Sequence, residues 1–125
     1  MSGSSARGSW VAVVGYMALI FVVSSMPFGA PLFQNAQKFH IDWLAHVVEY
    51  TVLGFLLARA LLYSAPGWNG AKVWIAVLAI GVFYAATDEF HQSRIPTRDA
   101  SAADGAADTV GVSLGCWIRL KKRKV

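Results

Sequence analysis

A chain of 125 residues has room for one domain, and its 56% hydrophobic against 14% charged residues, with a mean hydropathy of +0.48, argue against a soluble enzyme, in which about a quarter of residues are charged. Seven Phe, five Trp and four Tyr exclude a disordered chain. The net charge of +4 is not spread as a nucleic-acid-binding face would need, so no nucleic-acid partner is expected.

Residues 8–37 carry no formal charge, and Trp10 to Phe28 is long and apolar enough to cross a bilayer, which predicts a first helix over residues 9–28. Arg7 before this run and the small Ser24 and Ser25 also suit a cleaved signal peptide, but the run is longer than a usual signal-peptide core. Three further spans are predicted over residues 41–63, 71–91 and 100–119, each interrupted near one end by ionisable residues. Pro27-Phe28-Gly29-Ala30-Pro31 and Pro66-Gly67-Trp68-Asn69-Gly70 separate them as turns, and Ile95-Pro96 disfavours helix before the last. Short connections between four helices predict an all-α, integral membrane four-helix bundle running up-down-up-down, one domain over residues 1–125. The lone cysteine, Cys116, lies in an apolar stretch and has no intramolecular disulfide partner.

With the N-terminus cytoplasmic, Arg7, Arg59, Lys72, Arg119, Lys121, Lys122, Arg123 and Lys124 fall inside, against Lys38, Arg94 and Arg98 outside, as the positive-inside rule requires. Trp10, Trp43, Trp68, Trp74 and Trp117 all fall near span ends, where indole rings favour the headgroup layer. The same topology puts every acid, Asp42, Glu49, Asp88, Glu89, Asp99, Asp104 and Asp108, and the histidines His40, His46 and His91, in the outer half.

Asp42, His46, Glu49, Tyr50, Leu53 and Gly54 recur at spacings of three and four, forming one stripe on the second helix. Glu49 lies roughly 10 Å deeper than Asp42, at about 1.5 Å per residue, where an ionised group needs a partner. The third helix carries Tyr84, Asp88 and His91 on one face; Asp88-Glu89-Phe90-His91 matches a helicase box by letter, but no phosphate-binding loop accompanies it. On the fourth helix Asp104, Asp108, Gly111 and Gly115 line one face, and Gly111-x-x-x-Gly115 permits close backbone approach, either within the chain or in a homo-oligomer.

Taken in order, Lys38 to Leu57 with His46-x-x-Glu49-Tyr50-x-x-Leu53-Gly54-x-Leu56-Leu57, then Asp88-Glu89-x-His91-Gln92, then Arg98, Asp104, Asp108, Gly111 and Gly115, resemble the VanZ-like family, which takes its name from a teicoplanin-resistance protein. The resemblance covers nearly the whole chain from Trp10, and its ordered elements are jointly specific though each alone is weak. It implies a small multi-pass protein of the bacterial cytoplasmic membrane that affects glycopeptide susceptibility. One departure is Asp108, where the family commonly shows Asn after the Asp of the last helix; it adds negative charge to an acid-rich site.

Three readings of the polar residues stay open, beside a proton-coupled transporter, for which four helices make a thin pathway unless protomers associate. In the first they form an ion network that fixes packing, with Arg94 or Arg98 paired to Asp88, Asp104 or Asp108, and His46 bonded to Glu49 or Tyr50. In the second, preferred because intramembrane ionisable groups so often mark functional sites, they recognise a polar envelope ligand: a lipid-linked precursor, a lipid headgroup or a glycopeptide. His46, Glu49, Tyr50, Asp88, Glu89, His91, Gln92, Arg98, Asp104 and Asp108 would then bind it, with Arg94 and Arg98 holding phosphate or carboxylate. In the third, a metal-dependent membrane hydrolase or phosphotransferase acts on an envelope lipid, with His46, Glu49, Asp88 and His91 as catalytic candidates and these four plus Asp104 and Asp108 as candidate ligands of a divalent metal. The last two readings require His46, Glu49, Asp88, His91, Arg98 and Asp104 to converge in one outward-opening cavity. The topology itself is testable: reporter fusions after Arg7 and after Lys124 should both report cytoplasmic, and an external C-terminus would overturn the orientation.

Overall fold

The computed structural model describes residues 3–26, 42–95 and 102–123, and these described residues form four helices: α1 (Gly3–Ser24), α2 (Asp42–Ser64), α3 (Gly70–Gln92) and α4 (Ala102–Arg123). No strand occurs among the described residues. The first helix begins earlier than its apolar run and ends at Ser24, where Ser25 and Met26 form a turn. Residues 27 and 28, expected at its end, lie outside the described residues.

Local chemistry explains the ends of α3. The Asn69 side chain accepts from the Lys72 backbone N–H at 2.9 Å and caps its start. Ser93 closes it, its backbone N–H bonding the Glu89 carbonyl at 2.9 Å. On α4, Asp104 sits in the first turn and Lys121, Lys122 and Arg123 in the last, so charge complements the helix dipole at both ends.

The helices alternate in direction. Trp10 near the start of α1 donates from Nε1 to Ser64 Oγ at the end of α2 (2.8 Å), while Gln92 at the end of α3 donates to Ser24 Oγ at the end of α1 (3.2 Å). Around the bundle, however, the order departs from that of the chain. The most extensive packing is between the parallel helices α2 and α4, with α1 against α2 and α3 closing on α4.

Glycine dictates that pairing. A Cβ on Gly111 would stand 2.5 Å from the Val47 carbonyl oxygen and 3.0 Å from the Thr51 nitrogen. On Gly115 it would overlap the Thr51 carbonyl oxygen, and on Gly54 the Val112 carbonyl oxygen. The two backbones are thus in contact, as small residues permit. Gly111 and Gly115 therefore lie against α2 of the same chain, the intramolecular one of the two alternatives the GxxxG spacing left open. Tyr50, Leu53 and Leu57 of α2, Val73 and Val77 of α3 and Val112 and Cys116 of α4 make the buried core, to which α1 adds Val13 and Ile20.

Three helices are long and apolar enough to cross a membrane: Ser5–Ser24, Trp43–Ser64 and Gly70–Gln92. The fourth is not among them, although the sequence suggested four such spans. Its polar face packs inward against α2 and α3, so only Val110, Leu114 and Trp117 need present large apolar side chains outward. Val11, Ile75, Phe83 and Phe90 on α1 and α3 are exposed, as lipid contact requires.

The glycines supply a comparison. Gly115→Ala should destabilise by about 1–3 kcal/mol by forcing α2 and α4 apart. Gly15, around which nothing lies within 4 Å, should tolerate Gly15→Ala or gain up to about 1 kcal/mol of helix propensity. Thermal unfolding in detergent would show the contrast, and equal effects would contradict the backbone contact.

Candidate functional site

Register between α2 and α4 carries the site. Next to Val47 on α2 and about one turn before Gly111 on α4, His46 Nδ1 meets Asp108 Oδ1 at 2.8 Å, and its Nε2 faces Asp104 Oδ1 at 3.9 Å, beyond hydrogen-bond reach. The ring's hydrogen-bond partner is therefore Asp108, not Glu49 or Tyr50 as an intrahelical pairing would have it. His46 is half-buried, whereas Asp108 is 0% exposed. One turn further along α2, the fully buried Tyr50 donates its hydroxyl to Asp88 Oδ2 of α3 at 3.0 Å. The two contacts join α2 to α4 and α2 to α3.

Glu89 stands beside Asp88 on α3, its carboxylate against Gly105 of α4, where a Cβ would be 3.7 Å from Oε1. It lines an open pocket of about 280 Å³ with Val82, Ala85, Ala86, Gly105 and Thr109, and lies within electrostatic reach of Asp88, Asp104, Asp108 and His46. Glu49 is half-buried and within electrostatic reach of His46 and Tyr50. Three buried carboxylate oxygens, Asp88 Oδ1, Glu89 Oε1 and Asp108 Oδ2, accept no hydrogen bond from the described residues. That set can accept N–H or O–H groups brought by something else, because each carboxylate oxygen has lone pairs to spare.

His91 and Gln92 are turned elsewhere. Three residues beyond Asp88, His91 is rotated by about 60° around the helix, and it faces α1. Its Nε2 lies 2.8 Å from Ser25 Oγ and its ring stacks on Phe21 with centroids 4.4 Å apart. Since Ser25 Oγ donates to the Phe21 carbonyl at 2.8 Å, it accepts from His91. Gln92 bonds Ser24, as described above. Arg94 sets its guanidinium over the Phe90 ring at 4.7 Å. Arg98, Lys38, His40 and Asp99 lie outside the described residues, as does the side chain of Asp42. Among the described residues no three His, Cys, Asp or Glu side chains are placed to hold a metal ion.

Sequence spacing singled out Tyr84 but not its partner on α1, and it did not single out the other hydroxyls that dock α1. Tyr16 donates to the Glu49 carbonyl at 2.7 Å and Tyr84 donates to the Met17 carbonyl, while Ser24 and Ser25 hold α3. The available signal was the presence of Tyr16, Ser24 and Ser25 inside an otherwise apolar run.

A model of the VanZ/LLP1 family matches residues 9–121. The chain belongs to the VanZ/LLP1 family. The match spans α2 and α3 and most of α1 and α4, and takes in every acid and histidine of the chain. No curated protein and no solved structure matches it. Family membership and the three apolar helices together make this VanZ/LLP1 chain a membrane protein.

The Tyr50–Asp88 contact yields a double-mutant test. Tyr50→Phe should cost about 1–3 kcal/mol, because it strips a buried carboxylate of its donor. In an Asp88→Leu background the same change should cost clearly less. Equal costs in the two backgrounds would show that the hydroxyl acts elsewhere.

Proposed function

We propose that this VanZ/LLP1 protein spans the bacterial cytoplasmic membrane four times with both termini inside, and recognises a polar envelope ligand through the carboxylate-rich end of its bundle. The ligand is a lipid-linked cell-wall precursor, a lipid headgroup or a glycopeptide, and binding it alters susceptibility to teicoplanin-type glycopeptides. The observation that carries this reading is the set of orphaned acceptors Asp88 Oδ1, Glu89 Oε1 and Asp108 Oδ2. Leaving a buried acceptor unmade costs about 1–3 kcal/mol per group. A network serving only to hold helices together gains nothing from that cost, whereas a ligand amine or hydroxyl offsets it on binding. The pocket beside Glu89 offers an approach between α3 and α4.

In this reading Glu89, Asp88 and Asp108 accept from the ligand, Tyr50 and His46 hold two of those carboxylates in place, Glu49, Asp104 and Arg98 complete the polar end, and His91 and Gln92 fasten α1 beside it. The orientation that faces this end outward follows from the basic residues gathered at the other. With no group of three metal-type ligands among the described residues, the metal-dependent hydrolase reading has no observation of its own to favour it.

Asp88→Asn and Glu89→Gln test the proposal, because each keeps side-chain volume while turning an acceptor into a donor. Tyr50 can still donate to the Asn oxygen. Both variants should reach the membrane at wild-type abundance, scored by immunoblot, and abolish the protein's effect on the minimum inhibitory concentration of teicoplanin. Wild-type activity in both would sink the recognition reading. Loss of both proteins from the membrane would favour a purely structural network.

A further inference from the structure

The opposite end of the bundle holds a second polar site. Where the last turns of α2 and α4 meet the Pro66-Gly67 turn, Leu62, Tyr63, Pro66, Arg119 and Arg123 line an open pocket of about 360 Å³. Arg123 is anchored there: Nη1 donates to the Trp68 carbonyl at 3.0 Å and Nη2 to the Pro66 carbonyl at 3.3 Å. These bonds use two of the five N–H donors of a guanidinium. The others stay available in a fixed fork. Arg119, one turn earlier and half-buried, makes no ion pair with a described residue.

No acidic side chain balances this end. The chain has no acid between positions 50 and 87 and none after 108. Neighbouring cations rest on aromatic faces instead: Lys121 over Trp117 at 4.7 Å, Lys122 over Phe55 at 5.5 Å and Arg59 over Tyr63 at 5.9 Å. Such contacts leave the formal charge in place. An anion is the missing partner. Guanidinium forks match phosphate oxygens, and basic pockets between membrane helices bind phosphorylated headgroups. The remaining wall, Leu62, Tyr63 and Pro66, is largely apolar, which suits an amphiphile and offers nothing to a free inorganic ion.

We propose that this pocket binds the phosphate of an anionic phospholipid headgroup, with Arg119 and Arg123 donating to its oxygens and Leu62, Tyr63 and Pro66 covering the glycerol and first acyl carbons. The site is separate from the carboxylate end and does not depend on its function.

Purified full-length protein in neutral detergent, titrated with phosphatidylglycerol, should retain that lipid in native mass spectrometry and unfold at a higher temperature as lipid is added. Phosphatidylcholine should do neither. Arg119→Gln should weaken phosphatidylglycerol binding about fivefold. Arg119→Lys, which keeps the charge and loses the fork, should fall between it and wild type and guards against a folding defect. The double variant Lys121→Gln, Lys122→Gln removes more charge outside the pocket and should weaken binding less than Arg119→Gln. A loss from the lysine pair as large as that from Arg119→Gln would overturn the pocket in favour of general charge attraction. Equal retention of phosphatidylcholine, or full displacement of phosphatidylglycerol by equimolar inorganic phosphate, would overturn the anionic-lipid assignment.

Discussion

The backbones of α2 and α4 touch at Gly54, Gly111 and Gly115, and the rest of the molecule is arranged around that contact. Two parallel helices at this separation share a register over several turns, so a residue one turn before the contact on one helix meets its counterpart on the other. His46 reaches Asp108 for this reason, and Val112 and Cys116 are fully buried. Side chains of any size at the three glycine positions would carry the imidazole away from the carboxylate. The polar chemistry therefore rests on the absence of side chains a turn or two away.

Charge is separated along the bundle. Described acids gather where α2 begins and α3 ends, with the start of α4 beside them, while Arg59, Arg119 and the Lys121-Lys122-Arg123 run occupy the other end. Within the acid-rich end there is a further division. His46, Tyr50, Asp88, Glu89, Asp104 and Asp108 concern α2, α3 and α4, whereas His91 and Gln92 serve to fasten α1. A polar residue in a membrane helix thus has either of two duties here, and the neighbour it meets decides which.

Much of this was legible in residue spacing, because a period of 3.6 tells which side chains share a face. The face formed by Asp104, Asp108, Gly111 and Gly115 is readable in that way, as is the stripe of His46, Tyr50 and Leu53. Spacing does not tell which helix that face meets. The contact of α2 with α4 depends on Val112 fitting both Gly54 and Gly81, a match between three helices that no single segment displays. The sequence also suggested a fourth apolar span at α4, which its composition does not meet, since much of that helix is polar and one side of it is turned to protein. Arg98, prominent in the sequence argument, lies outside the described residues, and its place in the site rests on sequence alone.

The way α1 is held bears on how freely this protein can vary. Tyr16 and Tyr84 donate to the main-chain oxygens of Glu49 and Met17, not to their side chains. A carbonyl keeps a lone pair free after its helical bond, and every amino acid brings one. The latch consequently places no demand on which residue occupies position 49 or position 17. The two tyrosines are constrained, while the sites they grip are exempt. Chemistry at position 49 can drift, or be redesigned, without loosening the first helix from the bundle.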